Sequence, residues 1–221
     1  MLIKTRGIVF RFTKYGDTSV IVTAFTEFAG LQSFILKGIR KNKSGMALYQ
    51  PLTLLDLVIY HKESAGLQHI REARCRHIYS RIHGDVFRET VAFFITELLN
   101  RSIREQSHPE DLYGFMEDWL LRLDNENTRL KDFHLYFMAN LCRHLGFGAQ
   151  QPDEMISGKI LPEELFLHLK KILYGEETDM NYTQRKDILE LFTSFYREHI
   201  EGFGTLKSVE VLQEILAQTI H

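Results

Sequence analysis

The sequence predicts an α+β protein, with a small five-stranded β-barrel at the N-terminus followed by an all-α helical domain. Three observations carry that expectation. Runs of β-branched and aromatic residues, broken by turn signals, fill roughly the first eighty residues. From about residue 78 the apolar spacing changes to the three-to-four period of helices. Charge divides at the same place: residues 1–80 hold 12 Lys and Arg against 5 Asp and Glu, and residues 81–221 hold 15 against 24. The two parts therefore carry about +7 and −9, which sum to the −2 of the whole chain. The expected domains are 1–78 and 79–221.

Each strand has its own signal. Residues 7–12 alternate loosely and end at the turn Tyr15, Gly16, Asp17. Residues 18–26 are rich in β-branched side chains, and the stretch from Glu27 to Gly30 turns the chain into a third strand at 31–37. Pro51 opens a fourth over 52–60, and a polar turn at 62–66 leads to a fifth over 67–72. Closing five strands into a barrel removes most unpaired edges, so a module this small can stand alone. The oligonucleotide-binding (OB) fold fits the count and an SH3-like barrel fits it nearly as well; periodicity does not choose between them.

The helices follow in order. Val86, Phe87, Val91, Phe93, Phe94, Leu98, Leu99 and Ile103 recur at the spacing of a strongly apolar helix. Pro109, Glu110 and Asp111 start the next, with proline in the first turn and acids at the positive end of the dipole. A third runs from about Leu130 to Leu145 and stops at Gly146, and Pro162 begins a fourth that ends near Gly175. Two more, over 183–200 and 207–219, complete six helices. Their aromatic residues sit at core spacing.

Composition narrows the class. With 44% hydrophobic and 25% charged residues over 221 positions, the chain resembles soluble globular proteins and not disordered ones. No apolar run approaches the roughly 18 residues that span a bilayer. Met1 to Arg6 lead straight into a strand pattern without a signal-peptide core, so a cytoplasmic location is expected. Cys75 and Cys142 stand far apart and neither has a CxxC partner, which suits inert thiols in a reducing compartment. The ten histidines form no HExxH and no zinc-spaced cluster, so no metal and no cofactor is expected.

Catalytic signatures are missing as well: there is no P-loop, GxSxG or GxGxxG, and the expectation is a non-enzyme. Gly202-Phe203-Gly204 reads as a tight connection between helices. The segregated positive charge points to a polyanion. Lys37, Arg40, Lys41 and Lys43 form a basic, glycine-containing loop able to track a phosphate backbone, and Lys4, Arg6, Arg11 and Lys14 add to it from the first strand. Tyr15, Phe34, Tyr49 and Tyr60 are candidate stacking platforms, of which Tyr15, in a turn, is the better and Phe34 reads as barrel core. Arg71, Arg74, Arg76 and Arg81 either bind phosphate or pair with acids of the helical part. The candidate nucleic-acid contacts are thus Lys37, Arg40, Lys41, Lys43, Arg11, Lys14, Tyr15, Arg71 and Arg74.

Ordered blocks at both ends carry a family resemblance. Lys4 to Val9, Tyr15-Gly16-Asp17, Ile21 to Thr23, Phe25-Thr26, Lys37-Gly38 with Arg40-Lys41, Pro51-Leu52 and Leu55-Asp56 resemble the opening of bacterial RecO recombination mediators. Tyr196-Arg197, His199, Gly202-Phe203, Leu206 to Ser208 and Val211-Leu212 resemble its far end. The resemblance implies an N-terminal OB-fold, an all-helical second domain, and a non-enzymatic role in recombinational DNA repair. It also implies binding of single- and double-stranded DNA, strand annealing, and recombinase loading on coated single strands. The implied partners are the acidic C-terminal tail of single-stranded-DNA-binding protein and a RecR-type mediator, and Lys37, Arg40 and Lys41 are the implied DNA contacts. Many family members also hold a four-cysteine zinc module near the position of Leu145 to Phe147; here Gly148 to Glu154 follows with no cysteine pair. A barrel that has lost useful DNA affinity, leaving a protein–protein adaptor, is the second reading.

Overall fold

The computed structural model describes residues 1–39, 43–63, 65–104, 108–156, 158 and 160–219. Five strands, β1 (Leu2–Tyr15), β2 (Ser19–Thr26), β3 (Gly30–Leu36), β4 (Leu54–Tyr60) and β5 (His69–Cys75), form one sheet in the order β3-β2-β1-β4-β5. A parallel bridge between Phe34 and Gln68 closes the ends: Ile35 N donates to Gln68 O at 3.0 Å and Gln68 N to Ser33 O at 2.8 Å. A short helix, α1 (Lys43–Ala47), lies between β3 and β4. This meander of three strands, closed through the last two, is the OB-fold arrangement, which decides between the two barrels that the strand count allows.

Strand β1 is longer than its apolar pattern suggests because it serves two neighbours. Residues 2–8 pair with β4 and residues 7–15 with β2, with a bulge between Val9 and Arg11 where the strand bends. Val9, Val22, Ala24, Phe34, Leu55, Leu57 and Ile59 fill the interior. Tyr49 is buried in the same core, so it offers no stacking surface; its hydrophobic ring is worth more inside a small barrel than on it.

Residues 7–10 are buried without alternation because this part of the barrel is covered outside as well. Ile8 faces Phe25 across β2, and Phe10 stacks on Phe25 with ring centroids 6.0 Å apart. Helix α3 (Pro109–Asp124) packs against β1, β2 and β3; Pro109 lies against Gly30, and Arg6 lies 4.8 Å over the Tyr113 ring. The chain accordingly forms two compact units, 1–81 with 103–125 and 82–102 with 126–221. The helix that the sequence order places in the second domain groups with the barrel, whose outer apolar patch needs a cover.

The second unit holds α2 (Val86–Ser102), α4 (Phe133–His144), α5 (Asp153–Ile156), α6 (Glu163–Tyr174), α7 (Tyr182–His199) and α8 (Ser208–Thr219). With α3, the six helices expected from periodicity are all present. Asn181 and Gln184 cap α7 reciprocally, which satisfies two donors at its start. Arg185, on α7, is buried and donates to Asp132 Oδ1 at 2.7 Å and to Met180 O at 2.9 Å. Glu97, on α2, receives Ser208 N at 2.8 Å, Ser208 Oγ at 2.6 Å and Lys207 N at 3.1 Å, so a carboxylate from the unit itself occupies the N-terminus of α8. Burial works against that charge, but the hydrogen bonds prevail and hold Glu97 below the usual carboxylate range. Gly202 and Gly204 both adopt φ of +69°, which turns the chain between α7 and α8 and sends Phe203 into the core against Tyr196. The tight-connection reading of this motif holds.

Candidate nucleic-acid interface

Alternation along the strands sets which side chains face out. With Val9, Phe12, Val22, Phe34 and Leu36 directed to the core, Arg11, Thr13 and Tyr15 on β1 share the outer face with Ser19, Ile21 and Thr23 on β2 and Ser33 and Ile35 on β3. The register places Arg11 opposite Thr23 and Thr23 opposite Ser33, then Thr13, Ile21 and Ile35, then Tyr15 and Ser19. Lys37 follows Leu36, the last residue of β3, and is exposed. The face therefore has Arg11 at one end, an aliphatic pair in the middle and, at the hairpin end, a tyrosine that is 52% exposed. Arg11 Nε donates to Thr23 Oγ1 at 3.5 Å, and neither Arg11 nor Lys37 has a carboxylate partner among the described residues. In OB-folds the strand 2–3 face and the loops beside it are where oligonucleotides bind.

The structure thus places Arg11 and Tyr15 on one face, with Lys37 just past the end of β3, and separates the other candidates. Lys14 alternates to the side of Val20, beyond the core, and is exposed there. Arg40 and Lys41 lie outside the described residues, and Lys43 is described only as the first residue of α1. Arg71 and Arg74 sit on β5, on the far side of β1 and β4; Arg71 Nε lies 3.6 Å from Glu72 Oε1 and Arg74 faces Asp56 across the ladder.

Arg76 resolves in favour of pairing with acids. Its Nη1 lies 3.2 Å from Asp56 Oδ1 and its Nε 2.8 Å from Glu117 Oε1. Glu117, mostly buried on α3, also takes Arg6 Nη1 at 2.6 Å and the Tyr113 hydroxyl at 3.2 Å. Arg6 grips Glu27 with two nitrogens, at 2.8 and 2.5 Å, and that hydrogen bonding pulls the Glu27 carboxyl down. Arg6 and Arg76 are therefore structural clamps between the barrel and α3. Sequence reasoning missed this because Glu117 comes from a distant segment; it also missed the Ile21–Ile35 pair, whose alternation signal was present but read only as strand.

Two cysteines cannot supply a four-cysteine zinc set, and among the described residues no group of three or more His, Cys, Asp and Glu is placed to hold a metal ion. Cys142 is buried, its thiol pushed up to about 11 by that burial, and it donates to Ala139 O. Among the described residues no helix is long and apolar enough to cross a membrane.

An OB barrel followed in the chain by a helical unit defines the class by its fold. The family descriptions Recombination protein O N terminal and Recombination protein O C terminal match residues 1–79 and 83–178. The chain is 31% identical over 238 residues to the DNA repair protein RecO of Christiangramia forsetii, covering 97% of this chain and 99% of that protein. It is 32% identical over 240 residues to the DNA repair protein RecO of Bacteroides fragilis, with 97% and 99% covered. A relative from Flavobacterium psychrophilum with the same name is 30% identical over 239 residues, covering 98% of this chain and all of that protein. The chain belongs to the RecO family.

Proposed function

We propose that this protein is a non-enzymatic mediator of recombinational DNA repair that grips nucleic-acid backbone through its OB barrel. The observation that carries the reading is the outer face of β1, β2 and β3, which holds Arg11 and exposed Tyr15, with exposed Lys37 just past the end of β3; neither cation has a carboxylate partner among the described residues. Family membership supports the repair role. Phosphates would take the two cations, one base would stack on Tyr15, and Ile21 with Ile35 would hold an apolar edge of sugar or base. A site with one exposed aromatic and a polar rim reads backbone and not sequence. Contacts to double-stranded DNA, annealing of complementary strands and recombinase loading on coated single strands belong to the same proposal. So do the acidic tail of single-stranded-DNA-binding protein and a RecR-type partner, and contacts from Lys14, Arg40, Lys41, Lys43, Arg71 and Arg74.

The test is fluorescence anisotropy of a labelled single-stranded oligonucleotide across a salt series. The expected slope of log K against log salt is roughly −2 to −4, about 0.7 for each phosphate engaged. Arg11→Glu with Lys37→Glu should flatten the slope by about 1 to 2 and weaken binding at least about tenfold. Absence of binding at low salt would remove the DNA reading and leave the adaptor.

A further inference from the structure

Helices α7 and α8 are joined through the turn that holds Gly202 and Gly204, and a pocket of about 190 Å³ opens between them. Glu190, Thr193 and Arg197 follow at intervals of three and four, so they line it from one face of α7. Val209 and Gln213, four apart, line it from one face of α8. Buried Phe203 and Leu206 give the pocket an apolar floor. Cofactors and drug-sized ligands fill pockets of about 300–1,000 Å³, whereas this one has room for a single large side chain. Its mouth carries opposite charges at its two ends. Glu190 and Arg197 are both exposed and stand two turns apart, roughly 10.5 Å along the helix axis. Neither has an ion pair among the described residues. Arg197 Nε donates to Thr193 O at 3.3 Å, within its own helix, which leaves the terminal nitrogens for a ligand.

We propose that this pocket docks an extended peptide segment of a partner protein through one apolar side chain set between a basic and an acidic residue. The apolar side chain enters between α7 and α8, the basic residue meets Glu190 and the acidic one meets Arg197. In an extended chain the side chains two places before and after the anchor point the same way as the anchor. They stand about 13 Å apart, and long side chains close the difference to the two charges of the mouth. The Gln213 amide can both donate to and accept from the peptide backbone. Opposite charges at the two ends also fix the direction in which the segment lies. They disfavour an all-acidic segment, which would meet Glu190, so this is not a site for an acidic tail. All of the lining residues belong to the helical unit, and the inference does not depend on DNA binding by the barrel.

The experiment is an NMR titration of the full, isotope-labelled chain at low salt with end-blocked pentapeptides. The probes are lysine-serine-leucine-serine-aspartate, the same residues in reverse order, and an all-acidic version with aspartate at both ends. One of the two mixed orders is expected to shift the amides of Gly202, Gly204 and Thr205. It should bind about three- to tenfold tighter than the other order and than the all-acidic peptide, the scale of two rim charge pairs. Exchanging the charges of the mouth, as Glu190→Lys with Arg197→Glu, should reverse the preference between the two orders, an outcome that a purely structural role does not produce. Gln213→Phe, which fills the pocket from within, should weaken the preferred peptide at least about tenfold. The charge exchange, at two exposed positions and checked by thermal melting, keeps the test valid if the filled pocket impairs folding. Shifts elsewhere only, equal affinity for both orders, or tighter binding of the all-acidic peptide would overturn the docking pocket, as would no binding at millimolar peptide.

Discussion

The barrel unit and the helical unit use their charges differently. In the helical unit charged side chains serve architecture: Arg185 is buried on Asp132, Glu97 caps α8, and Lys131 and Arg129 reach Asp179. In the barrel unit Arg6 and Arg76 are spent in the same way, on Glu27, Asp56 and Glu117, but Lys4, Arg11, Lys37 and Arg74 meet no carboxylate among the described residues. A sum of charges treats these cations alike. Subtracting the pairs leaves the ones available to an anionic ligand, and they lie on the barrel.

Breaking that contrast should cost most where charge is deepest. Asp132→Ala leaves the Arg185 guanidinium buried and without its carboxylate, with an expected loss of about 3–5 kcal/mol in chemical denaturation. A smaller loss would mean that Arg185 escapes to water. Replacing both, as Asp132→Leu with Arg185→Met, should restore most of it.

Acid sensitivity is the next largest effect and belongs to the same unit. His134 is fully buried, and that burial, with Arg185 adding to it, lowers its pKa to about 3. The unfolded chain, with an ordinary value of about 6.5, binds this proton first, so stability is complete above about pH 6.5 and falls as pH drops towards 3. Roughly 2–3 kcal/mol should be lost by pH 4.5 from this residue. Urea titrations at several pH values should show the loss in the natural chain and a flatter profile in His134→Leu; equal profiles would contradict the assignment.

The clamp on the barrel comes next. Glu117→Ala removes the shared acceptor of half-buried Arg6, exposed Arg76 and fully buried Tyr113, and should cost about 1–3 kcal/mol. Its effect on oligonucleotide binding should be slight, since neither arginine is assigned to the ligand; a large gain in affinity would show that the clamp hides a phosphate site. Smallest in stability is Arg11→Glu with Lys37→Glu, within about 0.5 kcal/mol of the natural chain by thermal melting, because exposed cations without partners hold nothing together. That pair should nonetheless abolish most DNA binding. Loss of stability there would mean that the two cations are structural.

Much of the architecture is legible in the sequence. Helical periodicity found six helices, because each buries one apolar stripe, and Phe34 was readable as core from its apolar neighbours. Strand ends were less legible. β1 runs to Leu2 and Tyr15 through charged positions, because its hydrogen bonds go to two different partners and its side chains there face solvent. Tyr49 was misread as a platform because nothing local distinguishes a loop tyrosine that folds into a barrel from one that stays outside.

By itself the sequence determined the α+β class, the order of strands and helices, the segregation of charge and the family to which the chain belongs. Those are properties of local pattern and of ordered matching blocks. Tertiary structure alone decided that α3 belongs with the barrel, that Arg6 and Arg76 are consumed by Glu117, and that Arg11 and Tyr15 share a face that Arg74 does not. The reason is physical. Whether a cation is free depends on which carboxylate lies within a few ångströms, and that distance is set by strand register and packing between segments a hundred residues apart.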